Sequence, residues 1–220
     1  MMENHKLNVE AVIFDLDGTI VDSKDAYLEA ARVAFSTLAH RAVSGKTALE
    51  IPKRFELGLP LNGLIMRIDE KSFREVYLKA YYEATCTRTK PFPDVGVVLR
   101  DLSERAKLAL ATRRHVPKSE IIRQLETFRL ARYFQVVVTG TETANPKPSP
   151  EALVRCSEKL GVALHDCAVV GDSVTDVKAG KNAGAKTVAV LSGIFSLKEL
   201  QMENPDLILE NVNKLPDFLE

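Results

Sequence analysis

The chain has 220 residues, enough for one substantial hydrophobic core or for a core with a small accessory domain. Its 30 lysines and arginines balance 30 aspartates and glutamates, so the formal net charge is +0 and no broad positive field favours nucleic acid as a partner. No run approaches the roughly 20 apolar residues of a membrane-spanning helix, and residues 1–8 lack the apolar core of a signal peptide. We therefore expect a soluble, cytoplasmic protein that binds neither nucleic acid nor membranes.

The cysteines favour the same compartment. Cys86, Cys156 and Cys167 are odd in number and lack the spacing of a zinc site, and two of them fall within apolar, periodic segments. A reducing cytoplasm fits this pattern best.

Short apolar and β-branched runs recur along most of the chain and predict buried strands. These runs are residues 9–14, 107–111, 135–138, 167–170, 187–191 and 206–209. Segments with helical spacing lie between most of them, for example Ile121, Leu125 and Phe128. The alternation predicts an α/β fold with a Rossmann-like parallel sheet and helices on both of its faces.

One region, from about Ser23 to Arg88, has no convincing strand but has amphipathic stripes. The first stripe is Tyr27, Ala31, Ala34, Phe35 and Leu38; the second is Leu61, Leu64, Ile65 and Ile68; the third is Phe73, Val76, Tyr77, Ala80, Tyr81 and Ala84. The region is predicted to be a helical insert, residues 23–89. The α/β core is then discontinuous and consists of residues 1–22 and 90–220.

Two carboxylates, Asp15 and Asp17, follow the first predicted strand directly. Residues two apart in an extended chain point the same way, so both can serve one site at the carboxyl edge of the sheet, where open α/β sheets bind ligands. Gly18 allows the chain to turn sharply after the pair. Adjacent carboxylates repel each other, and a divalent cation is the simplest remedy. The alternative is a solvated strand end with turn-forming aspartates.

A second acidic pair follows the strand predicted at residues 167–170. Asp172 stands at the strand edge and Asp176 lies one helical turn further on, so the two carboxylates can face one pocket if a helix starts near Ser173. Asp176 could instead be a first-turn acid that the helix dipole favours. Oxygen ligands from two strand edges suit Mg²⁺.

A lysine and a threonine complete the candidate site. Lys147 lies between Pro146 and Pro148, which stiffen its backbone, and a rigid lysine beside carboxylates can grip a phosphate oxygen. It could also be an ordinary solvated loop lysine. Thr112 directly follows the strand predicted at residues 107–111, where its hydroxyl and the neighbouring N–H groups can bind phosphate oxygens.

Taken in order, these segments resemble the four motifs of the haloacid dehalogenase-like (HAD) hydrolase superfamily. The segments are Asp15-Leu16-Asp17-Gly18-Thr19, Thr112, Lys147 and Gly171-Asp172-Ser173-x-x-Asp176. The insert resembles the helical (C1) cap domain of phosphoglycolate phosphatase-like and β-phosphoglucomutase-like members.

The resemblance implies a Mg²⁺-dependent phosphatase that hydrolyses a small phosphate monoester through an aspartyl-phosphate intermediate. It makes Asp15 the nucleophile, Asp17 the general acid and base, and Thr112 and Lys147 the groups that hold the phosphoryl group. The implied Mg²⁺ site consists of Asp15, the main-chain carbonyl of Asp17, and Asp172, with Asp176 supporting the metal through water or hydrogen bonds.

The chain departs from the superfamily pattern after Thr112, where relatives often have a small residue or an amide. Here Arg113, Arg114 and His115 follow. Arg113 is a candidate substrate-binding residue, because this basic trio could recognise substrate anions. A solvated loop is the more ordinary interpretation of the trio.

Other functions remain open. A phosphomutase of the β-phosphoglucomutase type uses the same pair of aspartates and differs in how its cap excludes water. A haloacid dehalogenase is less expected, because those members lack the acid found here at Asp17. A receiver-type signalling module is also less expected, because its acidic pair and its phosphorylated aspartate lie on different strands. The motifs specify neither the physiological substrate nor the oligomeric state.

Overall fold

The computed structural model describes residues 6–220. The described residues divide into two compact units, one of residues 6–21 with 91–220 and the other of residues 22–90. The strands β2 (Val21–Asp22) and β3 (Lys90–Pro91) pair as a two-stranded ribbon where the chain passes from one unit to the other.

The first unit is built on a six-stranded sheet. Its strands are β1 (Ala11–Phe14), β4 (Lys107–Ala111), β5 (Val136–Val138), β6 (Cys167–Gly171), β7 (Lys186–Val190) and β8 (Leu207–Leu209). They lie in the order β5-β4-β1-β6-β7-β8. All five pairings between neighbours are parallel. The predicted α/β fold class is therefore confirmed.

Helices cover both faces of this sheet, because alternate side chains of each strand are apolar on both sides. The helices are α4 (Val95–Ser103), α5 (Lys118–Thr127), α6 (Glu151–Leu160), α7 (Val174–Ala183) and α8 (Leu197–Gln201). Val12 and Phe14 of β1 belong to a cluster with apolar residues of α4 and α5, whereas Ala11 and Ile13 belong to a cluster with α6. Successive residues of one strand thus serve two separate cores.

The strand order places β1 in the middle of the sheet, between β4 and β6. Phe14, the last residue of β1, is level with Leu110 in β4 and with Val170 in β6. Because the three strands are parallel and in register, the residues that follow them come out side by side at one edge of the sheet.

The second unit is helical and has its own core. It contains α1 (Lys24–Ala39), α2 (Gly45–Leu57) and α3 (Glu70–Thr85). Aromatic rings supply much of the core: Phe35 packs edge-on against Phe73, and Phe55 packs edge-on against Tyr77.

One of the three predicted helical stripes is wrong. Residues 61–68 form consecutive turns, and the helix that precedes them, α2, was not predicted. Ser44 caps the start of α2 by accepting a hydrogen bond from Thr47 N at 3.2 Å, and Gly58 ends it in the left-handed region at φ 65°.

Within residues 6–220, no helix is long and apolar enough to cross a membrane. Cys86, Cys156 and Cys167 are free thiols.

Candidate active site

The predicted site residues stand at the carboxyl ends of three neighbouring strands. Asp15 follows β1, Thr112 follows β4 and Asp172 follows β6. Asp15 N donates to Val170 O at 2.9 Å and Thr112 N donates to Val138 O at 3.0 Å, so the main-chain ladder fixes both residues one step beyond their strands. All three side chains are buried. The topology therefore brings together residues that are far apart in the sequence.

Three carboxylates form a cluster at this edge. Asp15, Asp172 and Asp176 each offer an oxygen, and these oxygens all lie within 4.8 Å of one another. Thr19 Oγ1 donates to Asp172 Oδ1 at 3.3 Å. The cluster is buried, so its mutual repulsion is poorly screened by water. It therefore needs a positive charge nearby.

Asp176 belongs both to the cluster and to a helix cap. The helix α7 starts directly after Ser173, which meets the condition set by the sequence. Asp176 Oδ2 accepts hydrogen bonds from Ser173 Oγ at 2.6 Å and from Ser173 N at 3.2 Å. This is the reciprocal arrangement of a capping box. The two interpretations of Asp176 that the sequence left open are thus compatible, because one oxygen caps the helix while the other faces the site.

Lys147 supplies positive charge to the cluster. Its ammonium group donates to Asp15 Oδ1 at 2.8 Å, to Asp176 Oδ1 at 2.7 Å and to Ala111 O at 2.7 Å, which accounts for its three protons. The residue is only 3% exposed, so the solvated-loop interpretation is wrong.

The ionisation of this cluster follows from its burial. Desolvation alone would lower the pKa of Lys147, but Asp15 and Asp176 outweigh it and raise that pKa above the usual range. Desolvation raises the pKa of Asp15, with Lys147 acting in the opposite direction. Three carboxylates and one ammonium leave two net negative charges if all are ionised, which one divalent cation would balance.

The donor set fits Mg²⁺. It consists of carboxylate oxygens, the ligands that this hard cation prefers, and they come from two strand ends and one helix. The carboxylate of Asp17 lies outside the cluster and instead pairs with Arg114. Its predicted contribution to the metal, through the main-chain carbonyl, stays a prediction.

The basic trio after Thr112 is divided among three environments. Arg113 Nη1 donates to Lys147 O at 2.9 Å, which steadies the main chain of the loop that carries the lysine. Arg114 is 5% exposed, so the solvated-loop interpretation is wrong for this residue. His115 is exposed. Substrate binding by Arg113 stays a prediction.

Sequence reasoning missed the loop after β7. Ser192 Oγ donates to Gly18 O at 2.6 Å, and a Cβ built on Gly193 would lie 1.7 Å from Asp172 Oδ2. Only glycine therefore fits beside the carboxylate. Gly18 meets the same limit, since its φ is +81° and its Cβ would lie 2.5 Å from Asp172 Oδ2. A Ser-Gly pair straight after a buried strand was the available signal.

Known proteins of similar sequence match nearly the whole chain. The family model described as haloacid dehalogenase-like hydrolase matches residues 12–190. A Clostridium perfringens protein with the provisional name pyrophosphatase PpaX is 31% identical over 216 residues, covering 96% of this chain and 98% of its own. The phosphoglycolate phosphatase of Aquifex aeolicus is 30% identical over 218 residues, covering 96% and 97%.

A solved structure extends the agreement to the fold. A haloacid dehalogenase-like family hydrolase from Streptococcus pneumoniae superposes with a TM-score of 0.78 at 20% identity, covering 94% of this chain and 97% of that one. The family match and the sheet topology define a hydrolase built on a parallel α/β sheet. The chain belongs to the haloacid dehalogenase-like hydrolase family, as its four motifs predicted.

Proposed function

We propose that the protein is a Mg²⁺-dependent phosphatase that hydrolyses a small phosphorylated metabolite through a phosphorylated Asp15. The observation that carries the proposal is the convergence of Asp15, Asp172, Asp176 and Lys147 in one buried cluster, with Thr112 at the end of the adjoining strand. Phosphoryl transfer depends mostly on positioning and charge neutralisation, and this cluster supplies both.

Bound Mg²⁺ would be held by Asp15 and Asp172, with Asp176 in support, and would neutralise charge on the phosphoryl oxygens. Lys147 holds Asp15 in place, and its ammonium group offers positive charge to the phosphoryl oxygens. The Thr112 hydroxyl accepts a hydrogen bond from Arg114 N at 3.2 Å, so its own proton can be directed at a phosphoryl oxygen.

In the first half-reaction an oxygen of Asp15 attacks phosphorus, the bond from phosphorus to the ester oxygen breaks, and Asp17 protonates that oxygen as it leaves. In the second, Asp17 takes a proton from water, which attacks the phosphorus of the acyl phosphate. The bond to Asp15 breaks, inorganic phosphate is released and the carboxylate is restored.

The relatives guide the choice of substrates for the test. Their names refer to pyrophosphate and phosphoglycolate. A phosphate-release screen with Mg²⁺ should therefore include both, together with sugar phosphates, nucleotides and an aryl phosphate. Repeated turnover is expected with at least one of them. Transfer of the phosphoryl group to a sugar hydroxyl, without release, would indicate a phosphomutase instead.

The matched variant is Asp15→Asn. An amide of the same shape cannot attack phosphorus, so turnover should fall by at least about 10³-fold while the circular dichroism spectrum is unchanged. Phosphate release near the wild-type rate, after exclusion of a contaminant, would remove Asp15 from the mechanism.

A further inference from the structure

Asp17 is held by a fork of two hydrogen bonds from Arg114. Arg114 Nε donates to Asp17 Oδ2 at 2.7 Å and Nη2 donates to Oδ1 at 2.5 Å. The two side chains are 5% and 11% exposed. A bidentate arginine–carboxylate pair fixes both the position and the plane of the carboxylate, and a buried one is poorly screened.

Arg114 is itself fixed at several points. Its Nη1 donates to Gln124 Oε1 at 2.7 Å, which anchors the guanidinium to α5. Its main-chain N donates to Thr112 Oγ1 at 3.2 Å, and its carbonyl accepts from Gly140 N at 2.9 Å. The arginine is therefore a rigid support for Asp17 and not a flexible surface charge.

The two aspartates of the first motif thus have separate buried cations. Lys147 contacts Asp15 and Asp176, and Arg114 contacts Asp17. With a cation each, the two carboxylates can be held in different orientations although only Leu16 separates them.

We propose that Arg114 is a positioning residue that orients the carboxylate of Asp17 for proton transfer to the leaving oxygen, with Gln124 holding the arginine. This inference rests on the proposed function. Proton transfer requires a heavy-atom separation of about 3 Å, and loss of alignment is costly. The cost should be largest for a leaving group that cannot depart without a proton.

The experiment measures kcat/KM for wild type and Arg114→Gln with a series of phosphate esters, from p-nitrophenyl phosphate to an alkyl phosphate. We expect a loss of less than about 10-fold for the nitrophenyl ester and about 100-fold or more for the alkyl ester, within the range of general acid catalysis. The ratio kcat/KM reports the step that expels the leaving group. A loss of equal size for every ester would indicate a structural role and overturn the inference.

Three further variants sharpen the test. Arg114→Lys keeps the charge but offers no fork, so it should restore little of the alkyl ester rate. Gln124→Leu should change the leaving-group dependence in the same direction as Arg114→Gln, but by a smaller factor. If Arg114→Gln does not fold, Gln124→Leu replaces it in the test. Arg132→Gln, at an exposed arginine whose Nη2 contacts Tyr133 OH, is the control and should leave the series unchanged.

A double-mutant cycle separates positioning from other effects. In an Asp17→Asn background, Arg114→Gln should cost little further activity, because the side chain that Arg114 orients can no longer transfer a proton. Additive losses would contradict the inference. If the wild-type enzyme releases phosphate but Arg114→Gln shows the same leaving-group dependence as the wild type, this inference alone is overturned. A wild-type protein that releases no phosphate from any ester overturns the proposed function and this inference with it.

Discussion

The two compact units differ in what they bury. In the part of the chain that the structure describes, the buried charged side chains are Asp15, Arg114, Lys147, Asp172 and Asp176, and all belong to the α/β unit. The buried polar residues of the helical insert are Ser23, Thr85 and Thr89, which carry no charge. Three buried carboxylates share the single ammonium group of Lys147. Because even a paired buried charge has a desolvation cost, the α/β unit holds an arrangement that stability alone would not select.

The insert, by contrast, has a core of alanines and aromatic rings. Tyr27 stacks on Tyr81 with ring centroids 5.1 Å apart, and Phe35 and Phe73 are also 5.1 Å apart. Such contacts contribute to stability through buried area and ring geometry. Among the described residues, the α/β unit therefore buries charged side chains, whereas the core of the insert consists of alanines and apolar or aromatic side chains.

The largest expected effect concerns the two acids beyond β6. Asp172→Ala should nearly eliminate phosphate release at any practical Mg²⁺ concentration, since it removes a ligand at the strand edge. Asp176→Ala should cost less, on the order of 10–100-fold, because both of its oxygens already accept hydrogen bonds from Lys147 and Ser173. The measurement is kcat against Mg²⁺ concentration for both variants.

Asp176→Asn is the control for the helix cap, because an amide oxygen can still accept from Ser173. If Asp176→Ala and Asp176→Asn both lose more activity than Asp172→Ala, the assignment of the two acids is reversed. If Asp176→Ala loses more than Asp172→Ala but Asp176→Asn stays active, the helix cap, and not the metal, is the main contribution of Asp176.

Removal of the helical insert tests whether this unit contributes to substrate choice. The insert leaves the α/β unit directly after the segment that carries Asp15 and Asp17, and we predict that it acts as a cap that selects small phosphate monoesters. Replacing residues 23–88 with a short Gly/Ser linker should leave some hydrolysis of an aryl phosphate. The loss of kcat/KM for the best small substrate should exceed the loss for the aryl phosphate by a factor of about 10 or more, because water is less well excluded.

The informative quantity in that experiment is the ratio of kcat/KM for the two substrates. Circular dichroism and cooperative unfolding establish that the shortened chain folds. If it folds and the ratio equals that of the full chain, substrate choice lies in the α/β unit, for which Arg113 is the first candidate.

The strand-edge residues could be predicted because their positions depend on simple rules. Parallel strands end at one edge, so acids and a threonine directly after apolar runs converge whatever the loop lengths. The same rules do not specify the partner of each group. Arg113, Arg114 and His115 are consecutive and equally basic, and only the path of the loop decides that Arg114 is buried against Asp17.

The insert was predicted less well for a related reason. Residues 61–68 have helical spacing over scarcely two turns, which a series of turns can satisfy as well. The helix α2 contains Pro52, which argues against a helix by its missing N–H. Its signals were nevertheless present, since Ala48, Ile51 and Phe55 share one face and Gly58 follows the last turn.

The smallest expected effect is in the core of the insert. Tyr77 is 1% exposed, packs against Phe55 and Phe73, and its hydroxyl has no hydrogen-bond partner among residues 6–220. Burial also raises the pKa of this phenol, so the group stays neutral. A buried hydroxyl without a partner is unfavourable, and Tyr77→Phe removes it while keeping the ring contacts. We expect the free energy of unfolding to rise by about 1 kcal/mol.

The midpoint and slope of urea unfolding measure this change, with an unchanged slope showing that the unfolded state is the same. The matched control is Tyr133→Phe in the α/β unit, where the hydroxyl accepts a hydrogen bond from Arg132 Nη2 at 2.9 Å, so its removal should bring no gain. Phosphate release should be the same in both variants, because neither tyrosine belongs to the buried cluster of charges. A loss of stability in Tyr77→Phe would mean that the hydroxyl has a water partner in solution. The insert would then, like the α/β unit, depend on a buried polar contact, and the contrast between the two cores would be narrower.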